Sequence, residues 1–223
     1  MIGRDSLIVR DTPTLSSRES AANPVIPTAR SDEGSQTKNT AQSNTTNDKI
    51  NMRNNHDSIV LIGMPGAGKS TLGILLAKEL GLDFVDTDIA IQVREGRTLQ
   101  EILDGSDYLH LREIEEQVLL SQDIAGKVVA TGGSAVYSEP GMARLKHNAT
   151  VVFLDVPLRE LRQRIGNFDS RGIARKPNQS LESLFEERCA LYKKYGDIRV
   201  DCDQQSLQQT LDSVLQQLSE YRV

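Results

Sequence analysis

"GMPGAGKS", residues 63–70, separates the apolar run "SIVLIG" (58–63) from a stretch of helical periodicity, "STLGILLAKELGL" (70–82). Gly63-x-x-x-x-Gly68-Lys69-Ser70 has the Walker A spacing, in the strand-to-helix context that phosphate binding demands. Gly63, Pro65, Gly66, Ala67 and Gly68 supply a backbone able to turn its N–H groups inward around an anion. The helix that follows adds the partial positive charge of its N-terminus. Lys69 is expected to reach the terminal phosphates of ATP and Ser70 to place its hydroxyl on Mg²⁺, with Thr71 next to them on the first helical turn. A glycine-rich turn that merely joins a strand to a helix is the plain alternative.

Working outward, short apolar runs alternate with helix-period segments from Ser58 to the C-terminus, the pattern of a parallel sheet with crossover helices. "DFVDTD" (83–88), "KVVATGG" (127–133), "TVVFLDV" (150–156) and "DIRVDC" (197–202) read as the remaining strands. Helices are expected from Ser70 to a left-handed cap at Gly81, from Ile89 to Arg94, from a Thr98/Glu101 capping box, over Tyr108–Ser121, over 138–147, from Pro157 as first helical residue to Ile165, over Leu181–Tyr195, and from Ser206. Residues 166–180, "GNFDSRGIARKPNQS", lack apolar periodicity and predict an exposed, mobile loop. Five strands make this an α/β fold.

The chain has 223 residues and a formal net charge of -5. That acidity argues against nucleic acid as a partner, and no apolar stretch approaches the roughly 20 residues of a membrane helix. A small-molecule substrate, a cytoplasmic location and a monomer are expected. Cys189 and Cys202 are too few and too far apart for a disulfide framework or a CxxC site, which favours a reducing compartment and a packing role. Residues 1–57 contain no aromatic side chain, are rich in Ser, Thr, Asn and Asp, and carry balanced charge. They read as a disordered extension without a targeting signal, or as sequence upstream of a start at Met52, ahead of one domain over 58–223.

Asp86 and Asp88 end the second strand and should project from the carboxyl edge of the sheet, where such folds bind ligands. One can orient magnesium water while the other accepts a hydrogen bond, or a proton, from an acceptor hydroxyl. Asp88 as a mere helix cap is the alternative.

"GMPGAGKST", "DTD", "LREIEE", "ATGGSAV" and "ERCALY" occur in the order and approximate spacing of the motifs of shikimate kinases, which the chain resembles from Ser58 to its end. The resemblance implies a P-loop, nucleoside-monophosphate-kinase-like three-layer fold with a five-stranded parallel sheet, ATP with Mg²⁺, and phosphoryl transfer to the 3-hydroxyl of shikimate. It also implies that Asp88 binds the acceptor hydroxyls, that Asp86 is linked to magnesium, and that Gly132 and Gly133 offer backbone N–H groups to substrate. Arg171 falls at the lid arginine, and Arg112 and Arg188 at the pair gripping the substrate carboxylate. Guanidinium forks suit that task better than lysine. Without the resemblance, Arg112 would be read as paired with Glu115 or Glu116, and Arg188 as a solvated helix residue.

The chain departs from the family pattern at Ser134 in place of a third glycine, at Leu111 in place of phenylalanine, at Gly172-Ile173 in place of Pro-Leu, and at Ala190 in place of proline. A kinase for another small hydroxylated metabolite, or an ATP-binding regulatory relative, are the alternatives these departures leave open.

Overall fold

The computed structural model describes residues 58–166 and 172–221. The disorder expected of 1–57 lies outside the described residues, as does the part of the expected lid that carries Arg171.

Strand β1 (Ile59–Ile62) is apolar and buried at every position, which suits a strand covered on both faces. It runs parallel between β3 (Lys127–Ala130) and β4 (Thr150–Asp155), with β2 (Asp83–Asp86) and β5 (Ile198–Asp201) at the edges, in the order β2-β3-β1-β4-β5. Edge strand β5 accordingly alternates buried and exposed residues. The chain leaves β1 for one side of the sheet and later returns to the other, so the topological switch falls at its carboxyl end.

Helices α1 (Lys69–Leu80) and α8 (Leu207–Tyr221) pack together against β2, β3 and β5, whereas α5 (Glu139–Asn148) and α7 (Leu181–Tyr195) pack on β4. The result is helix, sheet, helix. A second apolar cluster forms apart from the main core among α2 (Thr87–Glu95), α3 (Leu99–Gly105) and α4 (Tyr108–Ser121), built on Ile91, Ile102, Leu111, Ile114 and Val118. Short α6 (Leu158–Arg164) completes the helices among the described residues.

The expected termini are largely present. Gly81 caps α1 in the left-handed region, and Thr98 and Glu101 form a reciprocal capping box on α3. Two expectations need correction. Pro157 is the N-cap of α6 rather than its first residue: its φ of -60° suits a helix, but its ψ of 146° is extended. The helix expected from Ile89 begins at Thr87, and its cap is Asp86, whose Oδ1 accepts from the N–H groups of Asp88 and Ile89 at 2.9 and 3.3 Å, so the alternative of Asp88 as a mere cap does not hold.

The segment after the undescribed residues is in part the exposed loop expected there, without helix or strand and exposed at Lys176, Pro177, Asn178 and Ser180, but it is pinned at single points. Ala174 is buried against the second cluster and Gln179 is nearly so, so 172–180 forms a packed arm leading to α7. Its polar backbone explains why periodicity misses it: the arm is held by individual side chains rather than by an apolar face.

Tyr192 of α7 ties this framework to the site. Its ring stacks on Phe153 of β4 with centroids 5.2 Å apart, and its hydroxyl donates to the Gly133 carbonyl at 2.7 Å. Tyr192→Phe keeps the stacking and leaves that carbonyl without its donor, so urea denaturation should show a stability loss of about 1–2 kcal/mol.

Candidate active site

At the carboxyl edge of the sheet a recess of about 510 Å³ opens between the 63–68 loop, α2, α4, the loop after β3 and the arm. Gly63, Gly66 and Gly68 take φ values of 148°, 80° and 92°, conformations that L side chains rarely adopt. This curls the loop so that α1 starts at its rim. Pro65, Gly66, Gly68, Lys69, Ser70 and Thr71 line the recess. Gly63 and Ala67 lie beneath it, Gly63 so close to β4 that a Cβ would stand 2.9 Å from the Leu154 carbonyl. Lys69 is buried and its Nζ donates to the carbonyls of Gly63 and Met64 at 2.7 and 3.0 Å. Burial pushes its ammonium down from 10.5 to about 8, against the opposing pull of the Asp88 charge.

Opposite the loop stand two carboxyls. Asp88 lines the recess, and burial raises it from 3.8 to about 6 although Lys69 acts to lower it. Glu115 of α4 is 3% exposed, and burial, together with the Asp88 charge, raises it from 4.5 to about 7. A methyl group on Gly132 would lie 2.1 Å from Glu115 Oε1 and 2.6 Å from Asp88 Oδ1, so both acids press against this glycine. Its N–H donates to Thr87 Oγ1 at 2.9 Å. Of the two glycines, Gly133 is the one that lines the recess.

The arginines answer neither plain reading. Arg188 is 1% exposed, not solvated; its Nη2 donates to the Ala174 carbonyl at 2.5 Å, and its Nε has no hydrogen-bond partner. Arg112 does not lean on Glu115 or Glu116. Its guanidinium sits 3.5 Å from the centroid of the Tyr137 ring and 5.0 Å from that of Tyr108, with Nε and Nη2 buried and unpartnered. Burial, and next to it the neighbouring Arg188 charge, lowers its pKa. Buried donors without acceptors carry a desolvation penalty that an incoming anion removes.

The glycine-rich loop, the acids and the arginines thus share one edge of the sheet, with Asp86 just behind as the cap of α2. Among the described residues no cluster of three or more His, Cys, Asp or Glu side chains could hold a metal, and no helix is long and apolar enough to cross a membrane. Both cysteines are buried and free.

The family model for shikimate kinase matches residues 65–219. The chain belongs to the shikimate kinase family. The shikimate kinase of Persephonella marina is 34% identical over 160 residues, covering 71% of this chain and 96% of the relative. That of Mycobacterium avium is 39% identical over 150 residues, covering 66% and 85%. Among solved structures, shikimate kinase from Acinetobacter baumannii in complex with shikimate superposes with a TM-score of 0.68 at 29% identity, covering 75% of this chain and 96% of that one. The Aquifex aeolicus enzyme gives 0.64 at 31%, covering 74% and 98%. As a member of this family the chain is an ATP-dependent kinase.

Its departures from the family pattern have local physical partners. Ser134 does not project an idle hydroxyl: its Oγ donates to Glu115 Oε2 at 2.5 Å. Leu111 is buried in the second apolar cluster beside Ile91 and Ile102. Gly172 has a φ of 64°, its N–H donates to Gln100 Oε1 at 2.9 Å, and a Cβ there would strike Leu99 at 2.6 Å. Ala190 is exposed on α7. Glu115, Tyr137, Thr87 and Arg164, which also lines the recess, had not been singled out in the sequence. The last glutamate of "LREIE" was the available signal for Glu115, being four residues, one helical turn, from the wall residue Leu111.

Two outcomes follow. Glu115 holds a proton more tightly folded than unfolded, so its contribution to stability is full below pH 4.5 and is lost as pH rises through about 7. Glu115→Gln should flatten that decline in a pH series of denaturation midpoints. Gly172→Pro, which restores the family residue, removes the donor to Gln100 and cannot adopt a φ of 64°. It should lower the thermal midpoint by several degrees, consistent with a cost of about 1–3 kcal/mol.

Proposed function

We propose that this chain transfers the γ-phosphoryl group of ATP to the 3-hydroxyl of shikimate, a step of aromatic amino-acid (chorismate) biosynthesis. The observation that carries the reading is a pair of neighbouring guanidiniums with buried, unpartnered N–H groups: Arg188, which is buried and lines the recess beside the phosphate loop and two acids, and half-buried Arg112 next to it. A binding module for nucleotide alone has no use for a second anion site. An alcohol that also bears a carboxylate does, and the shikimate-bound relative has that chemistry for its ligand.

In this reading the amides of 63–68, Lys69 and the N-terminus of α1 hold the triphosphate. Lys69 exchanges its bonds to Gly63 and Met64 for phosphate oxygens. Ser70, exposed at the first turn of α1, and Asp86 are the residues that fit magnesium, an ion that keeps several waters and phosphate ligands and needs no cage of side chains. When bound it neutralises charge on the phosphates. Arg112 and Arg188 take the acceptor carboxylate, and Ile91 and Leu111 offer an apolar wall to its ring.

Asp88 accepts a hydrogen bond from the reacting hydroxyl. With its carboxyl raised only to about 6, it is largely ionised at neutral pH and able to take the proton. The acceptor oxygen bonds to the γ-phosphorus as the bond to the β–γ bridging oxygen breaks, and ADP leaves. Arg171, outside the described residues, is assigned by the resemblance to neutralise the transferring group.

Coupled detection of ADP with and without shikimate tests the reading: strong stimulation is expected. Stimulation only by a different hydroxylated acceptor, or none at all, overturns it in favour of a paralogous kinase or a regulatory relative. Lys69→Ala and Asp88→Asn should each reduce turnover by about 100-fold or more, through lost phosphate stabilisation and lost acceptor positioning. Arg188→Lys should chiefly raise the KM for the acceptor.

A further inference from the structure

Tyr137 ends a 3-10 turn (Ala135–Tyr137) that follows the glycine pair. Its ring is the common surface of the two arginines: Arg112 lies 3.5 Å and Arg188 5.5 Å from its centroid. The hydroxyl donates to Glu187 Oε1 at 2.6 Å and is also met by the Arg188 guanidinium, which acts on it as a hydrogen-bond donor. Glu187 is fixed in turn by Gln179 Nε2 at 2.8 Å and Lys176 Nζ at 3.2 Å, both from the arm. The ring is therefore anchored at its far end by the arm through Glu187, with its face left to Arg112.

A guanidinium is usually held in place by a carboxylate, which occupies the N–H edge that a ligand would need. An aromatic face holds it differently, attracting the cation through the ring quadrupole and leaving the edge uncommitted. Arg112 shows the consequence, with Nε and Nη2 lacking any partner. The acids around it are engaged elsewhere: Glu113 by His110, Glu115 by Ser134, Glu116 by Ser138 Oγ at 2.6 Å, and Glu187 by Tyr137 and Gln179.

We infer that Tyr137 is a positioning residue for acceptor specificity: its ring holds Arg112, and secondarily Arg188, with their N–H edges free for a carboxylate. Tyr137 acts through the arginines and touches no reacting atom. The inference rests on the proposed carboxylated acceptor, but its physical core, an arginine held by a ring, is testable without any substrate.

The test has a spectroscopic and a kinetic arm. In an arginine side-chain ¹⁵N–¹H spectrum of the full chain, assigned with Arg112→Lys, the Arg112 Nε–H resonance of the wild type should be displaced by the ring current of Tyr137. The displacement should persist in Tyr137→Phe and shrink in Tyr137→Leu to the part that Tyr108, 5.0 Å from the guanidinium, supplies. In steady-state assays Tyr137→Leu should raise the shikimate KM roughly tenfold, the scale of a desolvated cation–π contact, with the ATP KM held within about twofold. Tyr137→Phe should stay within about threefold of wild type, because the ring remains.

An undisplaced Arg112 resonance in the wild type, or a shikimate KM in Tyr137→Leu equal to that of the wild type, overturns the inference. If Tyr137→Leu does not fold, the same spectrum of Tyr108→Leu decides: most of the displacement should remain there, and its loss overturns the inference. Failure of the functional reading shows separately, as wild-type protein that does not turn over shikimate while the resonance pattern stands.

Discussion

Lys69, Asp88, Glu115 and Arg188 are held largely out of water around one recess, where the opposite charges among them offset part of the cost and the like pairs, Asp88 with Glu115 and Lys69 with Arg188, add to it. Burial works against the charged form of Lys69 and of both acids, and the opposite charges across the recess recover part of that cost. A mixed field of this kind answers single changes unevenly. Removing Lys69 or Arg188 leaves the two buried acids with less compensation, whereas removing one acid relieves the other. The architecture supplies the condition for such crowding, because the central strand is covered on both faces and delivers its loop to the edge where β2 and β3 also end. Three short strand termini thereby bring residues distant in the chain to one recess.

The sheet and its helices were legible because their signals are local. β1 is an unbroken apolar run, α1 has its leucines at helical spacing before Gly81, and α3 announces itself through Thr98 and Glu101. The glycine loop was legible for the same reason. Tyr137, Glu115 and Thr87 were not, since each matters through a partner remote in sequence: Tyr137 through Arg112 and Glu187, Glu115 through Ser134, Thr87 through Gly132. That Asp86 rather than Asp88 caps the helix after β2 was hidden for a similar reason. Two aspartates two residues apart have the same capping propensity, and only the direction in which the chain leaves β2 decides which one turns back onto the helix. The arm escaped detection because its order comes from single buried residues such as Ala174, for which periodicity has no reading.

Ser134 and Gly172 show how a family pattern can shift without emptying its positions. A hydroxyl beside a buried glutamate gives that acid a donor, and a glycine where proline is usual gives the arm an N–H that proline lacks, used on Gln100. In both places the substitution is coupled to a neighbour that accepts what it offers. Both changes lie next to the recess, and neither obstructs the line from Lys69 to Asp88 along which phosphate and acceptor would meet.

Thr87, flanked by the two aspartates, is itself fully buried and accepts from the Gly132 backbone. One hydroxyl thus rivets the end of an edge strand to the turn beyond its neighbour, so Asp88 and the glycine pair form a single rigid jaw. That bond sets the approach of Asp88 to the glycine pair before any ligand arrives, so where the acid stands is a property of the fold rather than of what it meets.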